Sequence, residues 1–441
     1  MLLAIAAPAE TRPHYGGTLR VAMRGDLRSL DPAAAQGDAF AQIAPLIYDT
    51  LTHQDANGKP LPALASAWQQ ESEHRWRLTL RSGARFSDGT PLGPSVVAQS
   101  LHDANADWNV RALGDAVLVE SEQPLPDLPA QLALARNSIA LRADDKLIGS
   151  GPFRVSEFQP GRRITLAALE ESWHGRPFMD AIEIQFGRTT RDQAMDLELG
   201  RVDVIEVAPE QLTRMAQSGR RVVVSDPVEL LALRFSHSLK DARVRQAIAR
   251  SVDRDAIVNV LLQRHGEAAG SLLPNWISGY AFLFPTAPPT AVVRQVRTSM
   301  KPSPALTLVY DATDPLARLV AERIALNAAD AGITLKTLPN TQNTTVPDAQ
   351  LLRLRLPSTD AGVALSELAR GERLSLSIGG VPVIAAEVYR TDSAALQEFW
   401  AVPIAYMPVA WALNSRVRNW TTSRDGSWRL EEVWLAEAGR P

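Results

Sequence analysis

Gly16-Gly17-Thr18-Leu19-Arg20-Val21-Ala22 is followed by Ser29-Leu30-Asp31-Pro32, and then by Ile47-Tyr48-Asp49-Thr50-Leu51. Leu64-Ala65-Ser66-Ala67-Trp68 and Phe86-Ser87-Asp88-Gly89-Thr90-Pro91-Leu92 continue the series. Each piece has a local reading. Residues 18–22 alternate and are bounded by two glycines, the pattern of a short strand. Asp31-Pro32 reads as a turn, because proline fixes φ and biases the residue before it away from helix. Residues 76–80, Trp-Arg-Leu-Thr-Leu, alternate again. Ser87-Asp88-Gly89 is a tight turn with glycine at a position of positive φ.

A chain of 441 residues has room for two or three domains at about 100–200 residues each. Its net charge of −3 comes without any long basic run, so neither nucleic acid nor a membrane surface is an expected partner. There is no cysteine, which excludes disulfides, thiolate nucleophiles and cysteine-ligated metal. It also leaves no residue for the N-terminal lipid of a bacterial lipoprotein. Residues 1–10, MLLAIAAPAE, read as the back half of a secretory signal peptide with an Ala-x-Ala cleavage site, leaving 1–15 as a signal remnant or tail. No other stretch approaches 18 uninterrupted apolar residues, so no transmembrane helix is expected.

Along the chain, strands are expected over 148–155, 163–166 and 181–186, with a loop at Trp173-His174-Gly175-Arg176-Pro177. A helix is expected near 94–101, and another over 191–199 before Gly200-Arg201-Val202-Asp203 turns into a strand. Asp241-Ala242-Arg243-Val244-Arg245-Gln246-Ala247-Ile248 opens an amphipathic helix, with Val244, Ala247, Ile248 and Val252 at helical spacing. Asp253 caps the next. Residues 285–304 are proline-rich and read as an exposed crossing. A strand over 305–310, a helix over 314–331 ended by Gly332, and a strand over 333–338 make a β-α-β unit suited to a parallel sheet.

Taken in order, these segments resemble the extracytoplasmic solute-binding proteins, family 5, that serve peptide, dipeptide and nickel ABC importers. The likeness runs from about Gly16 to Lys336 and returns weakly over 403–435, with Asp241 to Ile248 and Leu273-Pro274 among its matches. It implies an α/β, two-lobed periplasmic-binding-protein fold (type II-like, class C) with an extra subdomain in lobe one. Lobe one would comprise 16–47, 150–236 and 415–441, the subdomain 48–149, and a shortened lobe two 237–414. The implied role is a non-enzymatic one. A monomeric periplasmic receptor would capture a small solute or short peptide between hinged lobes and hand it to permease subunits in the inner membrane, with no cofactor and no bound metal of its own. The alternative is a repurposed member acting as a sensor or protein-interaction module.

Two stretches are compressed relative to that family, 101–149 and 341–400. The second lacks the Gly-Trp-x-x-Asp segment whose carboxylate pairs with a peptide's amino terminus, which argues against a standard zwitterionic peptide. What remains for recognition is aromatic and basic: Phe40, Trp108, Arg136, Trp276, Tyr280, Trp400, Tyr406 and Trp411. Arg136 lies where nickel-binding members resembling this chain place a cleft arginine, and a guanidinium can clamp a carboxylate with two parallel N–H bonds. For each of these residues ordinary core packing or a solvated surface is the competing account. Catalytic patterns are missing. The seven histidines form no i, i+4 pair, and there is neither a nucleophile elbow nor a P-loop. Gly149-Ser150-Gly151 runs straight into Pro152 and opens a strand rather than a helix, so it should not cradle phosphate.

Overall fold

A computed structural model describes residues 12–34, 37–144, 146–280, 305–340, 347–370, 374 and 381–436. Most of the expected signal remnant and proline-rich crossing lie outside these residues.

One mixed sheet runs through the molecule. Its order is Phe153–Gln159, Arg163–Ala168, Ala181–Gln185, Thr18–Ala22, Val204–Val207, Ala401–Leu413, Arg221–Phe235, Ala349–Arg355, Ala305–Tyr310 and Thr334–Pro339. Thr18–Ala22 pairs in parallel with both neighbours and is buried on both faces, since Leu19, Val21 and Ala22 are all enclosed. Leu19 and Val21 share one face and Ala22 lies on the other.

The two long strands in the middle link the lobes. Within Arg221–Phe235, Leu231, Leu233 and Phe235 face a core shared with helices Ala242–Ser251 and Pro315–Asp330. Leu230 and Ala232 face a second core with helices Ala361–Ala369 and Ala385–Gln397. Period-two alternation therefore gives lobe two helices on both faces of its sheet. The other end of Ala401–Leu413 does the same for lobe one, sending Trp411 and Leu413 into one core and Ala410 and Ala412 into another. The change of lobe falls where Pro227 pairs with Pro408, amid shifts in register from Val224 to Glu229. Proline has no N–H to give the ladder, so the sheet is weakest in backbone bonds there. The sequence reading expects lobe two over 237–414, and near the facing prolines Val228 and Val409 join one core while Leu230 and Tyr406 join another.

The subdomain has its own four-stranded antiparallel sheet, in the order Ala65–Ser72, Arg75–Leu80, Ala116–Ser121, Trp108–Leu113, covered by helix Pro94–Ala104. Leu78, Phe86, Val97, Leu101 and Val117 fill the space between. The strand expected over 148–155 is broken. Lys146–Ile148 forms a hairpin with Leu141–Ala143, and the main sheet resumes only at Phe153. The reason is a crossing of two backbones. A Cβ on Gly149 would lie 1.9 Å from the Ile47 carbonyl oxygen, and one on Gly151 2.7 Å from the Ile47 carbonyl carbon. Gly149-Ser150-Gly151 thus carries the chain past the end of helix Asp38–Ile47, where no side chain fits.

Candidate functional site

Between the lobes, ahead of the linking strands, five charged side chains converge. Arg24 follows the first strand of lobe one, and its Nη2 lies 2.5 Å from Glu206 Oε1 while its backbone N–H donates to Glu206 Oε2 at 3.0 Å. Across the gap, Arg353 donates through Nε to Glu229 Oε2 at 2.6 Å. Asp314 joins the two halves. It is the N-cap of Pro315–Asp330, and its Oδ1 accepts from Leu316 N–H. Its Oδ2 lies 3.6 Å from Arg24 Nη1 of lobe one and 3.4 Å from Arg353 Nη1 of lobe two.

Three carboxylates thus share two guanidinium groups in a mostly enclosed space. Burial by itself would raise Glu206, but the charge and hydrogen bonds of Arg24 hold it down to about 2. Glu229 goes the other way. Burial pushes it up, Arg353 offsets this only in part, and the charge of Asp38 adds to the rise. Glu210, also beside the cluster, is raised chiefly by burial. Such a network is costly to desolvate and costly to break from one side. It sets charged side chains of the two lobes directly against one another.

A second meeting place lies at the outer edge, between subdomain and lobe two. Arg136 sits in the short 3-10 turn Ala135–Asn137 and faces Glu367 on helix Ala361–Ala369 in a fork, Nε to Oε2 at 3.2 Å and Nη2 to Oε1 at 3.0 Å. Burial lowers the affinity of Arg136 for its proton, with Glu367 opposing that effect. Nearby, Gln54 Nε2 donates to Ser358 Oγ at 2.8 Å.

The remaining sequence candidates spread over three regions. Phe40 packs in the lobe-one core, and Trp108 packs in the subdomain core with its backbone carbonyl 3.1 Å from His102 Nδ1. Trp411 forms an aromatic cluster with Trp420 and Trp428, at centroid distances of 6.3 and 4.9 Å. Trp276 donates to the Pro227 carbonyl at 3.0 Å, with the Arg424 guanidinium 4.5 Å over its ring. Trp400 carries Arg245 3.6 Å over its ring. Tyr280 donates to Asp392 Oδ2 at 2.5 Å, and burial pushes that carboxyl up to about 6. Tyr406 is enclosed in lobe two, its hydroxyl donating to the Ser271 carbonyl. Of the eight, Arg136 is the one that touches the opposite side of the cleft through a charged group. Among the described residues, no group of three or more His, Asp or Glu side chains could hold a metal ion.

Arg24, Glu206, Glu229, Asp314 and Arg353 were not candidates from sequence. A signal was present. Glu206 stands in Val204-Ile205-Glu206-Val207, Glu229 in Val228-Glu229-Leu230-Leu231, and Arg353 in Leu351-Leu352-Arg353-Leu354. A lone charge in an apolar strand must find a partner.

Two lobes on a shared pair of strands, with polar side chains meeting across the gap, define a hinged solute-binding architecture. The chain belongs to the family described as bacterial extracellular solute-binding proteins, family 5, whose middle-region model matches residues 59–358. The nickel-binding protein NikA of Staphylococcus aureus is 21% identical over 242 residues, 51% of this chain and 49% of that protein. The probable D,D-dipeptide-binding periplasmic protein DdpA of Escherichia coli is 24% identical over 371 residues, 75% of this chain and 71% of that protein. The structure of S. aureus NikA in complex with Ni(L-His)2 superposes with a TM-score of 0.83 at 17% identity, covering 95% of this chain and 99% of that one. The fold is thus the two-lobed one of this family. No helix of the described residues is long and apolar enough to cross a membrane.

Proposed function

We propose that this protein is the substrate-binding component of an ABC importer. It captures a small solute, peptide-like or a metal chelate, in the cleft between its lobes and presents the closed form to a membrane permease. The observation that carries this reading is the two-lobed arrangement: lobes with separate cores are joined by strands that pair at Pro227 and Pro408, and Arg24, Asp314 and Arg353 face one another between them. The ligand's contribution is binding energy that favours the closed arrangement, because a ligand shifts a conformational equilibrium only by its differential affinity for the two states. No bond in the solute is made or broken. Trp276, whose indole N–H donates to the Pro227 carbonyl and whose ring lies under the Arg424 guanidinium, is the sequence candidate we assign to the solute.

The test is a thermal-shift screen with short peptides, N-blocked peptides, oligosaccharides, and nickel with histidine or small carboxylate chelators. A ligand at 100 times its Kd adds about 2.7 kcal/mol to stability. A dose-dependent rise with one class supports the receptor reading and names the cargo. A folded protein that responds to none of them favours the repurposed sensor or interaction module.

A further inference from the structure

We infer that the contact between the subdomain and lobe two is a built-in latch that holds the lobes together before any ligand arrives. The inference concerns the same cleft and rests on the receptor reading only for its biological purpose. Its geometry stands by itself.

The latch has three parts. Arg136 is its charged part. Its guanidinium is seated on Asn105 Oδ1 and, at 3.4 Å, on Asn137 Oδ1. Both asparagines are buried; Asn105 donates to Asn137 Oδ1 at 2.8 Å, and Asn137 donates to the Gln131 carbonyl at 2.7 Å. This platform fixes the guanidinium so that its free edge meets the two Glu367 oxygens with both parallel N–H bonds. Side-chain exposures of 18% and 17% show that the pair is screened from water far more than a surface bridge is. The apolar part is a small cluster of Ala130, Leu134 and Val363, with Val381 packed against it. The third part is a close approach of backbones. Gly58, at φ +81°, lies where a Cβ would sit 2.5 Å from Asp360 N, so the turn after Gln54 presses directly on the start of helix Ala361–Ala369. Gln54 then bonds Ser358 both ways, accepting from its Oγ at 3.0 Å.

These contacts join residues 54–137 to residues 358–381, and the chain between them passes through the hinge. Every bond in the latch is made by groups of this chain, with no place in it for a ligand atom. The fork between Arg136 and Glu367 gives that guanidinium a carboxylate from within the molecule. Closure is then favoured in the free protein, and the solute adds to a bias already present.

The absence of cysteine makes the test direct. Spin labels on Leu113→Cys and Leu326→Cys, two exposed positions in the subdomain and lobe two, report the separation of the lobes. The ligand-free parent should give mainly the short distance. Glu367→Gln should shift the distribution toward a longer population, and Glu367→Asp, which keeps a carboxylate for Arg136, should shift it less. Small-angle scattering of the same proteins checks that each is folded and reads the change in overall dimension. A ligand-free parent already at the long distance, or a distribution unmoved by Glu367→Gln, overturns the latch. The receptor reading fails separately, if no solute class shifts the melting temperature of parent or variant.

Discussion

At the hinge the lobes share two antiparallel strands whose backbone amides and carbonyls bond each other along most of their length, with shifts in register around Pro227 and Pro408 and again between Leu231 and Ala232. At the mouth, a subdomain and a helix meet with no shared strand: a guanidinium and a carboxylate, an amide and a hydroxyl, a few methyl groups, and a glycine turn against the helix start. The difference matters because the two kinds of bond have different alternatives. A ladder amide torn from its partner inside a sheet leaves buried polar groups unpaired. A side-chain bond at the mouth breaks without undoing any ladder, and its groups take water once the two surfaces part. The integrity of the chain therefore resides at the hinge, and the choice between open and closed resides at the mouth.

That contrast can be broken most severely from the hinge side. Trp411 lies just past Pro408, enclosed between Trp420 and Trp428. Trp411→Ala should destabilise lobe one by about 3–5 kcal/mol, the range for emptying a buried aromatic site, read as a lowered urea or thermal midpoint. Gly426→Ala is the milder version. Gly426 has φ +73°, and a Cβ there would lie 3.2 Å from Arg355 Nη2 and 3.3 Å from both Ser225 and Val409. The Gln42 amide also donates to its carbonyl at 3.0 Å, so the loop braces the hinge from lobe one while Arg355 reaches it from lobe two. A left-handed conformation imposed on alanine costs about 1–2 kcal/mol, which should appear in the same denaturation curves.

The mouth should show the smallest effect on stability and the clearest effect on shape. Asp127 and Asp360, the N-caps of Leu128–Gln131 and Ala361–Ala369, lie close enough to each other for the charge of one to act on the other. Burial raises both carboxyls, and the charge of Asp360 raises Asp127 further. A carboxyl raised in the closed form favours that form while it is protonated, and this contribution fades as pH climbs through the raised pKa. Asp127→Asn keeps a good helix cap and removes one of the like charges. It should enrich the short-distance population at neutral pH, and the difference from the parent should vanish at acidic pH where both carboxyls hold protons. An equal shift at every pH would show that the two carboxyls do not repel each other at the mouth.

Many elements were legible because their signals are local. Asp241 and Asp253 do cap helices, accepting from Arg243 and Ala256 N–H groups at 2.9 Å. Gly89 and Gly332 do adopt positive φ, and 305–310 and 334–339 do pair in parallel around their helix. The linking strands escaped notice for an equally physical reason. Asp226-Pro227 interrupts one, and Pro403 and Pro408 interrupt the other, and proline inside an apolar run argues against a central strand. Here the prolines are tolerated because they fall among the shifts in register that let the sheet change lobes. The tryptophans illustrate the opposite difficulty, since composition cannot tell a recognition aromatic from a core one, and Trp411 proved to be enclosed in an aromatic cluster.

By itself, the sequence determined the family and the order of its elements, because turn glycines, capping acids and apolar periodicity act within a few residues of one another. It also determined that cysteine chemistry has no part. The meeting of Arg24 with Asp314, and of Arg136 with Glu367, was decided only by tertiary structure. Those partners lie hundreds of positions apart along the chain. No local rule couples such residues, and only the hinge, by setting one lobe against the other, brings their charges within reach.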